Sequence, residues 1–168
     1  MRLLIHEDRL RGVHPQLVLV AKAWANQLTW DILIIEGVRT NARQAQLYAQ
    51  GRTTPGPIVT MAANTLDSAH GRRWVNGQAY GMAMDAAPCT GVGGEPDWND
   101  KAAFEEMATI AERMGCIWGG RWTKFPDGDH FQMAGWRDYP PAPDDAPPPT
   151  GSRPVPPPNP PPTDPGTA

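Results

Sequence analysis

The last thirty residues of the chain limit most strongly what it can fold into. From Tyr139 onward the sequence reads YPPAPDDAPPPTGSRPVPPPNPPPTDPGTA. Proline has no backbone N–H to donate, and this segment offers almost no large apolar side chain to bury. It therefore predicts a disordered or polyproline-II tail over residues 140–168, which leaves residues 1–139 to form a single folded domain.

The charge balance argues against a nucleic-acid partner. The chain of 168 residues has a net charge of −3, and its tail contributes Asp144, Asp145 and Asp164 against Arg153, which is −2 and leaves −1 for the body. A body this close to neutral, without a dense stripe of lysine and arginine, cannot neutralise many phosphates. We therefore expect no nucleic-acid binding.

The N-terminal segment MRLLIHEDRLRGVHPQ lacks the apolar stretch of a signal peptide, and no run of residues is long and apolar enough to predict a membrane span. We expect a monomer that is made in the cytoplasm and forms no stable membrane association. It would then reach any target beyond the membrane by another route. Without a secretory signal, Cys89 and Cys116 are expected to be buried thiols rather than a disulfide.

Hydrophobic periodicity predicts an alternation of helices and short strands. Proline at a first helical turn, apolar residues at helical spacing and polar capping residues mark three helices. β-Branched or alternating runs mark the strands. The predicted helices are 15–28, 42–50 capped by Thr40 or Asn41, and one that is capped by Asp97 and closed by Gly115; the predicted strands are 31–37, 81–88, 116–118 and 130–133.

The segment between residues 51 and 70 is rich in Gly, Pro, Thr and Asn and predicts a long loop, with one short strand at Pro57–Thr60. Loops of this length inside a small domain are usually functional. The following Asn76-Gly77 pair is typical of a tight β-hairpin. Three tryptophans further along the chain are candidates to line a cleft: Trp118, Trp122 and Trp136.

Two histidines and a carboxylate lie at the edges of predicted strands. His130 ends the acid-rich segment FPDGDHFQ, His70 ends the long loop, and Asp85 lies on a strand face that otherwise holds only small residues. Two imidazoles and one carboxylate suit zinc and leave a fourth position open for water. Asp127 and Asp129 are both candidates for the base that takes a proton from that water, and their spacing does not decide between them.

Three ordered blocks resemble the family of zinc D-Ala-D-Ala carboxypeptidases and L-alanyl-D-glutamate endopeptidases, particularly its phage endolysin branch. The first is GVRTNARQAQLYAQGRTTPGPIVT. The second joins the S-x-H that begins at Ser68 to the G-x-A-x-D that ends at Asp85, and the third is WGGRWTKFPDGDHFQ. Together they run from about Leu33 to Gln132. The resemblance implies an α+β fold with a small antiparallel sheet flanked by helices, as in Hedgehog/DD-peptidase-like zinc peptidases.

The resemblance also implies roles for individual residues. One zinc ion would be bound by three ligands: His70, Asp85 and His130. Asp127 would be the general base, and Arg39 would bind the substrate and stabilise charge on its carbonyl oxygen. Ser68 would support the first ligand or contact the substrate.

One feature departs from the family pattern S-x-H-x-x-G-x-A-x-D, because fifteen positions separate His70 from Asp85. We interpret residues 71–78 as an inserted hairpin or loop, which is compatible with the site if its ends meet.

The implied function is hydrolysis of an amide bond in the peptide stem of bacterial peptidoglycan, favouring the L-Ala-D-Glu bond, after release of the enzyme to the cell wall. Three alternatives remain: a D-Ala-D-Ala carboxypeptidase, a zinc-containing module that binds cell wall without cutting it, and an adaptor that presents the proline tail to an SH3-like partner.

Overall fold

The computed structural model describes residues 1–147 and residue 149. It has the α+β composition that the sequence predicts, with helices and strands mixed along the chain. The helices are α1 (Pro15–Gln27), α2 (Asn41–Ala49) and α3 (Lys101–Arg113); the strands are β1 (Leu4–Ile5), β2 (Asp31–Glu36), β3 (Arg72–Val75), β4 (Gln78–Gly81), β5 (Ala83–Cys89), β6 (Cys116–Trp118) and β7 (His130–Met133).

Five of these strands form one sheet in the order β1-β2-β5-β7-β6. All neighbouring pairs are antiparallel except β1 and β2, which are parallel, so the expected antiparallel sheet has one parallel edge. The register places Asp85 on β5 directly opposite His130 on β7. The sheet itself therefore brings together two of the predicted ligands, which are 45 positions apart in sequence.

Helices α1 and α3 supply the core that supports this sheet. Trp24 on α1 is fully buried and meets Phe131 of β7 edge to face, with ring centroids 4.8 Å apart. Its indole N–H donates to the carbonyl oxygen of Met107 on α3 at 2.9 Å, so this large side chain is packed without leaving a polar group unpaired. The methionines of β5 and α3, including Met84 and Met107, are completely buried, as their spacing predicts.

A separate two-stranded hairpin, β3-β4, follows the long loop. Asn76 and Gly77 form its turn with φ values of 50° and 78°, which is the conformation that the Asn-Gly pair predicts. Arg72 and Gly81 face each other at the open end. The ends of the inserted segment therefore meet, and the chain returns to the sheet close to where it left.

Local polar contacts changed two of the predicted boundaries. Helix α3 begins at Lys101 with Asp100 as its N-cap, because the Asp100 carboxylate accepts from the backbone N–H of Ala103 at 3.0 Å. The predicted cap was wrong: Asp97 accepts instead from Asn99 in the preceding turn. The strand predicted at residues 57–60 does not form, since side chains such as that of Arg52, which donates to the carbonyl of Thr60, replace strand partners there.

The start of the proline-rich segment packs on the body. The backbone N–H of Trp74 donates to the carbonyl of Pro140, and that of Ala142 donates to the carbonyl of Arg72, both at 2.9 Å. We call residues 140–146 the C-terminal strap. The predicted disordered tail falls mainly on residues beyond 147, which lie outside the described part of the chain apart from residue 149.

Cys89 and Cys116 are buried free thiols, as predicted. Burial raises the pKa of Cys116 to about 12, so this thiol stays protonated at neutral pH. Among the described residues, no helix is both long enough and apolar enough to cross a bilayer.

Candidate metal centre

Three predicted ligands converge in the wall of a cleft. His70 lies just before β3, Asp85 on β5 and His130 at the start of β7. The three ligand atoms are His70 Nε2, Asp85 Oδ1 and His130 Nδ1, and all three side chains are buried. The His70 and His130 nitrogens lie 3.0 and 3.1 Å from Asp85 Oδ1 and 3.2 Å from each other.

These separations fit one metal ion. Two atoms that each bind zinc at about 2.0–2.1 Å lie roughly 3.3 Å apart in tetrahedral geometry. The three observed distances between the ligand atoms, 3.0, 3.1 and 3.2 Å, are only slightly shorter than this. Two nitrogens and one carboxylate oxygen are also a donor set that zinc accepts while keeping an open position.

In each histidine of the trio, one ring nitrogen faces the trio and the other faces away. The hydrogen bond of the nitrogen that faces away determines which of the two carries the proton. His70 Nδ1 lies 2.7 Å from the carbonyl oxygen of Gly37, which can only accept, so Nδ1 carries the proton and Nε2 faces the trio with its lone pair. His130 Nε2 lies 3.0 Å from Gln132 Oε1, which places the His130 Nδ1 lone pair in the same position. Three acceptors that face one another repel unless a proton or a metal ion lies between them, so this arrangement favours a cation at the centre of the trio.

Electrostatics within the trio favour the same conclusion. Burial by itself would raise the pKa of Asp85, but the positive charge and the hydrogen bonds that His70 and His130 supply when protonated hold it well below its usual range. Burial lowers the pKa of His130, and the Asp85 carboxylate outweighs this effect and raises it. Asp85 therefore remains ionised and attracts positive charge to the centre of the trio.

Arg39 contacts the carboxylate oxygen of Asp85 that does not face the two histidines. Its Nη2 donates to Asp85 Oδ2 at 2.7 Å, and its Nε donates to Glu36 Oε2 at 2.6 Å. Glu36 ends β2 beside Asp85 in the sheet register, and the buried Gln44 of α2 lies against the same guanidinium at 3.4 Å. These contacts fix the orientation of Asp85 so that its other oxygen points at the two histidines.

Asp127 and Asp129 both line the cleft beside the trio. Burial, a hydrogen bond with Asp127 and the nearby charges of Asp85 and Asp127 raise the pKa of Asp129. The two carboxyl groups therefore form a coupled pair of acids beside the trio.

Ser68 supports the loop that presents His70. Its hydroxyl accepts from the backbone N–H of His70 at 3.3 Å, and the side chain is buried at the cleft wall. The backbone on either side is held as well, because Met82 donates to the carbonyl of Ala69 and Arg39 donates to the carbonyl of His70. The hairpin insertion therefore leaves His70 in contact with Asp85.

The cleft has a volume of about 740 Å³. Of the three tryptophans predicted to line it, Trp122 and Trp136 do so, whereas Trp118 packs on Phe131 in the core.

Sequence reasoning missed Gln132, Gly37 and Glu36, which orient the trio. Gln132 could have been found from the sequence, because it lies two positions after His130 on the same strand and alternate strand residues share a face. The cleft is also lined by Leu47, Val59, Met61, Arg43 and Arg137.

A His-Asp-His trio that could hold a metal ion, with paired acids beside it in a cleft of an α+β fold, is typical of metal-dependent hydrolases. Comparison with known proteins identifies the family. Residues 62–133 match a family of the M15 peptidases described as D-alanyl-D-alanine carboxypeptidase. That range contains all three members of the trio together with Asp127, and it lies C-terminal to Arg39.

Two relatives and one solved structure agree with this match. The peptidoglycan L-alanyl-D-glutamate endopeptidase CwlK of Bacillus subtilis is 35% identical over 119 residues, which cover 67% of this chain and 66% of that protein. The L-alanyl-D-glutamate peptidase of Escherichia phage T5 is 30% identical over 109 residues, 65% of this chain and 67% of that protein. The L-Ala D-Glu endopeptidase ChiX of Serratia marcescens superposes with a TM-score of 0.57 at 27% identity, covering 79% of this chain and 87% of the other.

The chain belongs to the M15 peptidase family, as the three sequence blocks predict. It spans about two thirds of the length of the two curated relatives.

Proposed function

We propose that this protein is a zinc-dependent peptidoglycan peptidase that hydrolyses the amide bond between L-alanine and D-glutamate in the peptide stem. The observation that carries this proposal is the convergence of His70 Nε2, Asp85 Oδ1 and His130 Nδ1 within 3.2 Å of one another in a cleft wall. The names of both relatives and of the solved neighbour, all of which act on an L-alanyl-D-glutamate bond, support the choice of substrate.

Zinc held by the trio would polarise the scissile carbonyl and make a water molecule more acidic. The protein would supply proton transfer through Asp127, which lines the cleft next to the trio and is hydrogen-bonded with Asp129. Asp127 would take the proton from the attacking water and return it to the leaving amine nitrogen. Asp129 would keep the Asp127 carboxylate in position.

Arg39 would place positive charge close to the carbonyl oxygen on which negative charge develops. Its hydrogen bonds to Glu36 and Asp85 hold the guanidinium rigidly at the cleft wall. The same contacts make Arg39 a support for Asp85. Ser68 would support His70 from the other side.

The test is mass spectrometry of muropeptides after digestion of purified cell walls by the wild type, by Asp127→Ala and by a chelated sample. We expect new D-glutamyl amino termini with the wild type, and a rate about 10²–10⁴ lower for Asp127→Ala with zinc content unchanged. Asp8→Ala, which removes an exposed acid outside the cleft, is the matched control. Wild-type rates for Asp127→Ala would contradict the assigned base.

The same digestion separates the alternatives. A D-Ala-D-Ala carboxypeptidase, the activity named in the family description, would release free D-alanine and leave the L-Ala-D-Glu bond intact. A binding module without activity would contain zinc and release neither product. His130→Ala should lose zinc in either case, because it removes one of the three ligand atoms.

A further inference from the structure

Among the residues that the structure describes, Arg137 is a cation of the cleft that has no acidic partner. Three arginines line the cleft, and two of them form ion pairs: Arg39 with Glu36 and Asp85, and Arg43 with Glu36. Within residues 1–147, Arg137 makes no ion pair, and its recorded contact is with the ring of Trp136, 4.2 Å from the guanidinium carbon. Its charge is therefore available to a ligand.

The indole ring that carries this exposed guanidinium is held in place by the fold. Trp136 is 6% exposed, and a second guanidinium, that of the buried Arg73, lies 4.9 Å from the same ring. Arg73 donates to the backbone carbonyls of Leu66 and Thr65, which anchors the stack to the loop that leads to His70.

Two like charges on one indole ring form a positive spot that no ion pair among the described residues neutralises. Arg73 is bound only to backbone carbonyls, and Asp67 acts on it from a distance without forming an ion pair. In the described part of the chain, Arg73 and Arg137 have no carboxylate within ion-pairing distance. An anionic group bound in the cleft beside Arg137 would relieve this repulsion.

The proposed substrate must bring such an anion. A glutamyl residue has two carboxyl groups in addition to its amino group, and the continuing peptide uses one of them. The other remains as a free carboxylate a few bonds from the scissile amide. The cleft wall is rich in acids, among them Glu36, Asp67, Asp85 and Asp127, so this carboxylate needs a local cation to enter.

We propose that Arg137 binds the free carboxylate of the glutamyl residue and thereby selects acidic stem peptides over those in which this carboxyl group is amidated. The inference rests on the proposed function and adds the residue that reads the substrate next to the cut bond. The planar guanidinium is suited to hold a carboxylate through two parallel hydrogen bonds. Stacking on Trp136 orients the guanidinium before the substrate arrives.

The experiment uses two synthetic stem peptides that differ only in this group, one with the free carboxylate and one with a carboxamide. Cleavage is followed by liquid chromatography with mass spectrometry for the wild type, Arg137→Gln and Arg137→Lys. The wild type should prefer the acidic peptide about tenfold in kcat/KM, mainly through KM. Arg137→Gln should lose that preference, and it should cleave the amidated peptide within about twofold of the wild-type rate. Arg137→Lys should keep part of the preference for the acidic peptide.

Arg113→Gln, which removes an exposed arginine at the end of α3, is the matched control and should behave as the wild type. Equal acid-to-amide ratios in the wild type and Arg137→Gln would overturn the proposal.

A binding measurement keeps this result separate from the proposed reaction. In an Asp127→Asn background, calorimetry should show that Arg137→Gln weakens binding of the acidic peptide about tenfold and leaves the amidated one unaffected. If that binding difference appears while the wild type cuts neither peptide, the proposed function fails and the role of Arg137 stands. If the two peptides bind equally well, or neither binds, the role of Arg137 is wrong.

Discussion

At the scale of single residues, the same side chain serves different purposes according to its second partner. His70 and His130 each place one ring nitrogen against a neighbouring oxygen and turn the other toward Asp85. His14 is equally buried, but its Nδ1 accepts from the backbone N–H of Gln16 and caps α1. Its ring packs edge to face with Tyr80. A buried histidine is therefore a candidate metal ligand at positions 70 and 130 and a helix cap at position 14.

Burial of the His14 ring makes the free energy of unfolding depend on pH. Burial lowers the pKa of His14 from 6.5 to about 4. Between these values the unfolded chain binds a proton that the folded chain does not, so stability is complete above 6.5 and is lost as the pH falls toward 4. This histidine alone should account for about 3 kcal/mol of that loss.

Urea unfolding of the chelated protein at several pH values between 4 and 7 measures the effect. His14→Asn keeps a capping oxygen and has no titrating ring, so its stability should fall less steeply over this range. His6→Asn, which changes an exposed histidine, should follow the wild type. Parallel curves for His14→Asn and the wild type would contradict this account.

At the scale of elements, the metal centre depends on how closely neighbouring segments approach. Gly37, which follows β2, supplies the carbonyl oxygen that orients His70. A Cβ atom at this position would lie 2.2 Å from the carbonyl oxygen of Arg9 and 2.7 Å from the side chain of Val13. The backbone of Arg9 cannot give way cheaply, so residue 37 has to be glycine for β2 to pack against the N-terminal segment.

Gly37→Ala should therefore reduce both stability and metal binding. We expect a loss of about 1–3 kcal/mol in the free energy of unfolding from overpacking. Zinc affinity should fall about 10- to 100-fold because the partner of His70 Nδ1 is displaced. Chemical denaturation and competition with a chromophoric chelator measure the two effects. Gly128→Ala, where an added Cβ has no neighbour within 4 Å, is the control, and equal losses in both variants would contradict the explanation.

At the scale of the whole molecule, the C-terminal strap joins parts of the fold that are far apart in sequence. It hydrogen-bonds β3, and the carboxylate of Asp144 accepts from the backbone N–H of Asn41 at the start of α2 at 2.8 Å. Arg72 donates to the carbonyl of Ala146, whose side chain is buried. The strap thus holds the hairpin and α2 on either side of the loop that carries His70.

Two truncations test whether the folded domain extends past Tyr139. Removal of residues 140–168 should lower the free energy of unfolding by about 2 kcal/mol or more, because several hydrogen bonds of about 1 kcal/mol each are lost. Removal of residues 148–168 alone should leave it within about 0.5 kcal/mol of the full chain. Thermal and urea unfolding measure both. Equal stability of the two truncated forms would place the domain boundary at Tyr139 as the composition predicts.

Local sequence patterns were sufficient to predict most elements of this fold and the identity of the three candidate ligands. Helices, strands and the Asn76-Gly77 turn depend on residues a few positions apart, so periodicity and capping reveal them. The blocks around His70, Asp85 and His130 have a residue composition that suits a metal and resembles the family. The geometry of the site could not be obtained in this way.

Tertiary structure decided the features that depend on distant residues. The bulge that places Glu36 beside Asp85, the carbonyl of Gly37 beneath His70, the parallel edge of the sheet and the strap at Pro140 all join segments widely separated in sequence. Asp100, which caps α3, also accepts a hydrogen bond from Thr90 in the preceding loop. Sequence determined which residues were available for chemistry, and packing determined which of their atoms face one another, because burial and hydrogen bonding are settled only when the whole chain is folded.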